Sequence, residues 1–280
     1  MRSFWLTTLL ITMAGITATQ SSHRISDPLI TLNKMQDNEV IGRSDERGFA
    51  VLELFTSEGC SSCPPADELM ASIQHESEGK AVYILAYHVD YWDRLGWKDV
   101  YSNADFSDRQ VQYGHWLNVS PIYTPQVIVN GKAQFVGSDE SAIRHAISER
   151  LKTNTVATLK IEASQDGEKL EVRFHADHAA KGSRILIILV QKTARSKVER
   201  GENAGRVLSH VQIVRNVQSE HLPATGNGNT VIGLPKDFNA RNWELVGLVQ
   251  DQSSGEILAA AKSDLQTDPK LTSFQNGKVK

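Results

Sequence analysis

The chain has 280 residues, 40% of them hydrophobic and 22% charged, with a formal net charge of −3. That length supports more than one layered core, the composition is ordinary for a soluble globular protein, and the charge balance, with no basic stripe, argues against a nucleic-acid partner. Cys60 and Cys63 are the only two cysteines, which excludes a disulfide framework and a four-cysteine zinc site.

Residues 1–18 read as a signal peptide. Arg2 supplies the positive start, residues 4–16 form a short apolar run, and Ala18 is a small residue suited to cleavage. An uncleaved N-terminal anchor is the alternative. No cysteine follows the run, so the pattern is not that of a lipoprotein. After cleavage no membrane span is expected, because the remaining chain has no apolar stretch of spanning length. Export, to the periplasm if the source is bacterial and otherwise to the exterior, places the cysteine pair where a disulfide persists. Residues 19–47 are polar and aperiodic and read as a flexible leader.

The first strand is expected over 49–55, a β-prone apolar run interrupted only by Glu53. A carboxylate inside a strand is costly unless paired or protonated. Glu53 is therefore either a buried acid or base assisting the cysteines or a solvated edge residue. The strand runs into Phe55-Thr-Ser-Glu-Gly-Cys-Ser-Ser-Cys-Pro-Pro-Ala-Asp67. A helix is expected over 64–75: prolines suit its first turn, and Ala66, Leu69, Met70 and Ile73 fall on one face. Cys60 and Cys63 thus sit at a strand–helix junction, where free N–H groups and the helix dipole stabilise a thiolate. Three readings stay open: an exchangeable dithiol, a soft-metal site using both thiolates with His88, and an inert disulfide. The dipole predicts Cys60 at the exposed end and Cys63 turned toward the sheet. Glu58, Asp67 and Glu68 oppose a nearby thiolate and moderate the effect.

A second strand is expected over 81–89, parallel to the first, ending near His88. An insertion, 90–120, follows. All six tyrosines fall within 83–123, with Trp92, Trp97 and Trp116 beside them. These aromatics suit local packing, and Tyr91, Trp92 and Trp97 are also candidates for a substrate platform over the cysteines. Ser102 or Asn103 is suited to cap a helix ending near Leu117. Thr124-Pro125 then introduces a hairpin, 127–129 and 133–136, turned by Asn130-Gly131. A closing helix is expected over 139–152 with Ser138 as its cap.

This order, with Phe55-Thr-Ser-Glu-Gly-Cys-Ser-Ser-Cys63 and Thr124-Pro125, resembles a thioredoxin-like domain over residues 48–153. The turn is similar to that of glutaredoxin-type members. Ser-Ser stands where thioredoxin has Gly-Pro, and no tryptophan precedes Cys60, so the direction of electron flow does not transfer. Phe55 to Asp67 together with His88-Val-Asp-Tyr-Trp-Asp-Arg-Leu-Gly-Trp97 resembles the secreted family catalogued as domain of unknown function 1223. The resemblance implies a thioredoxin-like fold, a dithiol at Cys60 and Cys63, and a cis bond at Thr124-Pro125 facing it.

From residue 156 the pattern changes to alternating short strands, expected over 157–163, 169–175, 184–190, 206–217, 229–234, 244–251 and 257–262. They read as an all-β, sandwich-like domain over 156–264 with a polar tail, 265–280. Glu199-Arg-Gly-Glu-Asn-Ala-Gly205 is a charged turn, either solvated or lying against the first domain.

The expected fold is thus an α/β thioredoxin-like domain, a mixed sheet with flanking helices, followed by a sandwich-like β domain. The expected function is thiol–disulfide exchange by an exported protein, acting on a protein or small thiol through Cys60 and Cys63. Thr124 and Pro125 would face the pair, with Glu53 and His88 as candidate assistants and no cofactor beyond the redox-active cysteines. The alternatives are copper or zinc binding by Cys60, Cys63 and His88, and an interaction protein with an inert disulfide.

Overall fold

The computed structural model describes residues 42–43 and 48–265, within the compact unit Glu39–Lys280. The expected signal peptide, most of the leader and the tail beyond Leu265 lie outside the described residues. The elements are β1 (Gly42–Arg43), β2 (Ala50–Thr56), α1 (Pro64–Glu76), β3 (Val82–His88), a 3₁₀ helix (Asp90–Leu95), α2 (Ala104–Leu117), β4 (Gln126–Val129), β5 (Ala133–Val136) and α3 (Glu140–Lys152). Seven strands follow: β6 (Thr158–Asp166), β7 (Lys169–Asp177), β8 (Arg184–Lys197), β9 (Val207–His221), β10 (Asn227–Gly233), β11 (Trp243–Gln250) and β12 (Ile257–Asp264). Gly42–Arg43 lies inside the stretch read as leader, where nothing in the local sequence signals a strand.

One sheet has eight strands in the order β12-β11-β8-β9-β3-β2-β4-β5, and a second has four, β1-β6-β7-β10. β2 and β3 run parallel, while β4 is antiparallel to β2. The large sheet therefore runs unbroken from the N-terminal βαβ unit into the C-terminal strands. The joint is the parallel pairing of β3 with β9 at Ala86 and Ile213.

The period of two in β2 divides the core. Ala50, Leu52 and Leu54 face α1 and α3, burying Leu69, Met70, Ile73, Ile143 and Ile147. Val51 and Phe55 face the other way and join Tyr87, Leu85, and Phe106 and Tyr113 of α2. At the far end, Ile185, Ile187 and Leu189 of β8 meet Leu159, Val172 and Phe174 of the four-stranded sheet.

The local caps follow from side-chain chemistry. Asn103 caps α2, accepting from the Asp105 N–H, and Asp139 rather than Ser138 caps α3, accepting from the Ala142 N–H. Asn130 and Gly131 both have positive φ, as the tight hairpin requires. Gly131 also abuts the Gly255 carbonyl, which leaves no room for a side chain.

The long β8–β9 hairpin positions the site. Its register shifts between Leu189 and Val190, leaving Arg215 unpaired between Val214 and Asn216. Gln212 nearby adopts a left-handed φ of 53°. An extra residue bends and twists a hairpin. Beyond this bend Val211 packs against the α1 core, and the hairpin tip, 198–206, reaches the turn that carries the cysteines.

Candidate functional site

Cys60 and Cys63 form a disulfide, with Cα atoms 5.4 Å apart, in the turn between β2 and α1. Cys63 is the N-cap residue of α1 and has no side-chain cap of its own; the prolines occupy the first helical positions. The Cys60 N–H donates to the Ser57 carbonyl and the Cys63 N–H to the Cys60 carbonyl. Both cysteines are 0% exposed, whereas Ser61 and Ser62 between them are exposed. This corrects the expectation that Cys60 stands open at the helix dipole. The dipole sets an electrostatic preference, but distant segments of chain decide exposure.

Thr124, distant in sequence, also meets the disulfide. Its hydroxyl donates to Cys60 Sγ at 3.4 Å and accepts from Trp92 Nε1 at 2.8 Å. The Ser62 hydroxyl lies 3.4 Å from the same sulfur. The Thr124–Pro125 bond is cis, as the resemblance implied; Ser120–Pro121 is also cis, which no reading of the sequence anticipated. Pro125 is buried, and its carbonyl accepts from the Gly137 N–H at 2.8 Å. A side chain at Gly137 would strike Pro125 and Ala66, so glycine is needed for that approach.

A third segment closes over the turn from the second half of the chain. Asn203 Nδ2 donates to the carbonyl oxygens of Glu58 and Cys60, both at 2.9 Å. Arg206 Nη1 donates to Asn203 Oδ1 at 2.9 Å and so fixes which way the amide points. The Ser61 N–H donates to Glu202 Oε2 at 3.0 Å, and contact with Ser61 holds the Glu202 carboxyl below its usual range.

Behind the turn lies a buried polar cluster, on the α1 side of the sheet. His88 Nδ1 meets Asp99 Oδ2 at 2.7 Å, and the same carboxylate oxygen accepts from the Glu58 N–H at 2.9 Å. Trp97 Nε1 donates to Glu58 Oε2 at 2.6 Å. His210 Nε2 stands 3.3 Å from Glu58 Oε1, close enough for an ion pair though not aligned as a hydrogen bond. The His88 and His210 rings cross at 4.9 Å. Asp67, one helical turn after Cys63, accepts from the Thr56 hydroxyl at 3.4 Å.

Burial pushes the Asp67 carboxyl up to about 6, against the pull of His210, His88 and Thr56. Burial also opposes protonation of His88, but Asp99, Asp67 and Glu58 together outweigh it and the net shift is upward. Burial works against the Asp99 carboxylate too, yet His88 and the Glu58 and Tyr101 N–H groups hold it down at about 2.

The sequence-derived candidates therefore divide. Cys60, Cys63, Thr124, Pro125 and Trp92 come together, and Trp97 and His88 stand just behind them through Glu58 and Asp99. Tyr91 instead bonds Gln110 Oε1 at 3.1 Å, and its ring packs against the α2-side core. Glu53 lies on the face of β2 away from α1, where Arg109 grips it at 2.7 Å and Tyr113 also donates to it. Nothing in the local sequence marks Asn203, Glu202, His210 or Asp99 as site residues, although the charged turn 199–205 is visible in it. Among the described residues no three His, Cys, Asp or Glu side chains are grouped to hold a metal, and no helix is long and apolar enough to cross a membrane.

An X-ray crystal structure of protein AGR_C_4864 from Agrobacterium tumefaciens is similar to this one, with 25% sequence identity and a TM-score of 0.61 over 80% of this chain and 98% of that one. A domain of the outer membrane lipoprotein Omp28 from Porphyromonas gingivalis aligns at 13% identity over 41% of this chain and 91% of that one, with a TM-score of 0.26. No curated protein sequence matches the chain. The family described as "Protein of unknown function (DUF1223)" matches residues 51–250, a span that takes in the disulfide turn, Thr124-Pro125 and the hairpin tip alike, and the chain belongs to that family.

Proposed function

We propose that this is an exported thiol–disulfide exchange protein whose reactive group is the Cys60–Cys63 disulfide, carried on a thioredoxin-like N-terminal domain that a sandwich-like β region supports. The carrying observation is the Thr124 hydroxyl on Cys60 Sγ at 3.4 Å, across a disulfide seated at the start of a helix. A hydroxyl donor and a helix N-terminus both stabilise a sulfur that becomes a thiolate. Asp67, adjacent on the same helix face as Cys63, is a buried acid able to exchange a proton near neutral pH.

In the exchange, a substrate thiolate attacks Cys60 Sγ, the sulfur–sulfur bond breaks, and Cys63 Sγ leaves with the electron pair and takes up a proton. A second substrate thiolate then attacks the substrate sulfur of the mixed disulfide, and Cys60 leaves as a thiolate. The substrate gains a disulfide and the protein ends as a dithiol; the reverse sequence reduces a substrate.

Burial of both cysteines supports a second reading, an inert structural disulfide. One experiment separates the two. With Cys63→Ser, an exchange protein traps mixed disulfides through Cys60, whereas Cys60→Ser traps almost none. Alkylation of the two reduced single variants against pH shows a depressed Cys60 pKa. Equal, slow alkylation of both with unshifted pKa values leaves the inert reading standing. The substrate is a protein or small thiol met outside the cytoplasm.

A further inference from the structure

Three backbone groups of the disulfide turn bond to side chains of the β8–β9 hairpin tip: the carbonyls of Glu58 and Cys60 and the N–H of Ser61. All three are occupied by the chain itself. The Asn203 amide supplies the donors for both carbonyls and the Glu202 carboxylate accepts from the N–H. The two carbonyls are two residues apart in sequence, and the N–H follows the second directly. The Cys60 carbonyl and the Ser61 N–H belong to one peptide plane and point to opposite sides of it, so the tip grips that peptide from both sides. A polypeptide, which carries an amide donor and a carbonyl acceptor on nearly every residue, can supply both kinds of partner. A simple thiol without amide groups offers neither.

The cover is built, not incidental. Asn203 is 1% exposed although it sits at a hairpin tip. Arg206 orients its amide, the Gly205 N–H and Arg206 carbonyl close the tip onto Val198, and Gly201 passes beside Trp97. Thr124 on Cys60 Sγ and Trp92 beside Gly59 add to these contacts, and both cysteines of the pinned turn are 0% exposed.

We infer that Glu202 and Asn203 hold the place of a polypeptide substrate's own amide and carbonyl groups on the disulfide turn, so that a cysteine in such a chain displaces them and gains access to Cys60 while small thiols are held off. This rests on the exchange reading above and names the substrate class for it. The tip is then a specificity element: a substrate that replaces its three hydrogen bonds opens the site at little net cost, and one that cannot must wait for spontaneous opening.

The test uses the oxidised mature protein, as wild type, E202A, N203A and the double variant. The second-order rate of disulfide loss is measured with 2-mercaptoethanol and with a blocked ten-residue peptide containing one cysteine, each rate corrected to thiolate concentration. Two hydrogen bonds of ordinary net strength correspond to about tenfold or more in the opening equilibrium. Wild type is expected to react faster with the peptide. N203A is expected to react about tenfold faster with 2-mercaptoethanol, with a smaller gain for the peptide, so that discrimination narrows. E202A removes only an exposed contact, keeps the fold, and should show the same change in smaller degree; it carries the test if N203A fails to fold. Rates for 2-mercaptoethanol within twofold of wild type in folded variants overturn the inference. A gain shared equally by both thiols overturns the polypeptide assignment. Resistance of every variant to every thiol removes the exchange reading itself, and this inference with it.

Discussion

Glu53 and Arg109 form a buried ion pair, Oε1 to Nη2 at 2.7 Å, on the face of the large sheet opposite α1. Glu53 is 0% exposed, and Arg109 also donates to Gln250 at 3.2 Å and to the Tyr113 hydroxyl at 3.1 Å. The carboxylate thus joins β2, α2 and β11. Arg109→Met should cost about 3–5 kcal/mol, because it strands a buried charge rather than merely deleting a contact. Glu53→Gln combined with Arg109→Met should recover much of that loss. Urea unfolding of the two single variants and the double variant reads both effects, and additive losses would deny the coupling.

Much of this architecture was legible locally, and the unread part depends on contacts between distant residues. The strand into Cys60, the helix from Pro64 and the Asn130-Gly131 hairpin are each signalled within a dozen residues. Glu53 also stood out as an anomaly, but its partner lies 56 positions away and its side of the sheet depends on register. Asn203 reaches the Cys60 carbonyl from 143 positions away, past a bend at Arg215. No periodicity marks such a bend in advance. His210 read as one more residue of an alternating strand, and only the β3–β9 pairing brings it beside His88.

The export proposal has a direct check. The chain expressed with residues 1–18 in its native exporting host should yield a mature product whose N-terminus is near Thr19. N-terminal sequencing or intact mass reads the terminus. A product that retains Met1 and stays in the cytoplasm would remove the oxidising compartment on which a persistent disulfide depends.

Trp92 donates to Thr124, and Thr124 in turn donates to Cys60 Sγ. The indole occupies a lone pair of the hydroxyl and leaves its proton for the sulfur. After reduction that proton favours the thiolate. A hydrogen bond to a charged group contributes about 1.5–3 kcal/mol, so Thr124→Val should raise the Cys60 pKa by about one unit. Thr124→Ser, which keeps the hydroxyl, should stay near wild type. Trp92→Phe should produce a smaller rise, since it loosens the hydroxyl without removing it. Alkylation rate against pH in a Cys63→Ser background measures all three. A Cys60 pKa left unchanged by Thr124→Val would dismiss the hydroxyl as a thiolate donor.

Asp67 gives the fold a pH dependence opposite to that of a salt-bridged carboxylate. Its pKa rises from 3.8 in the unfolded chain to about 6 in the fold, because burial disfavours the charged form. The folded state then holds the proton more tightly, so stability is full below pH 3.8 and declines as pH rises through about 6. The cost reaches about 3 kcal/mol above that window. His88 adds in the same direction, since its raised pKa means that its stabilisation also fades as pH rises. Asp99, held at about 2, works oppositely and loses its contribution only in strong acid. Asp67→Asn keeps an acceptor for Thr56 and removes the ionisable group. The variant should match wild type near pH 3.5 and exceed its stability by up to about 3 kcal/mol at pH 7.5, as read by urea unfolding across that range. If Asp67→Asn is instead less stable at pH 7.5, the carboxylate is ionised and held by His88 and His210, and Asp67 is then not the buried acid that exchanges a proton beside Cys63.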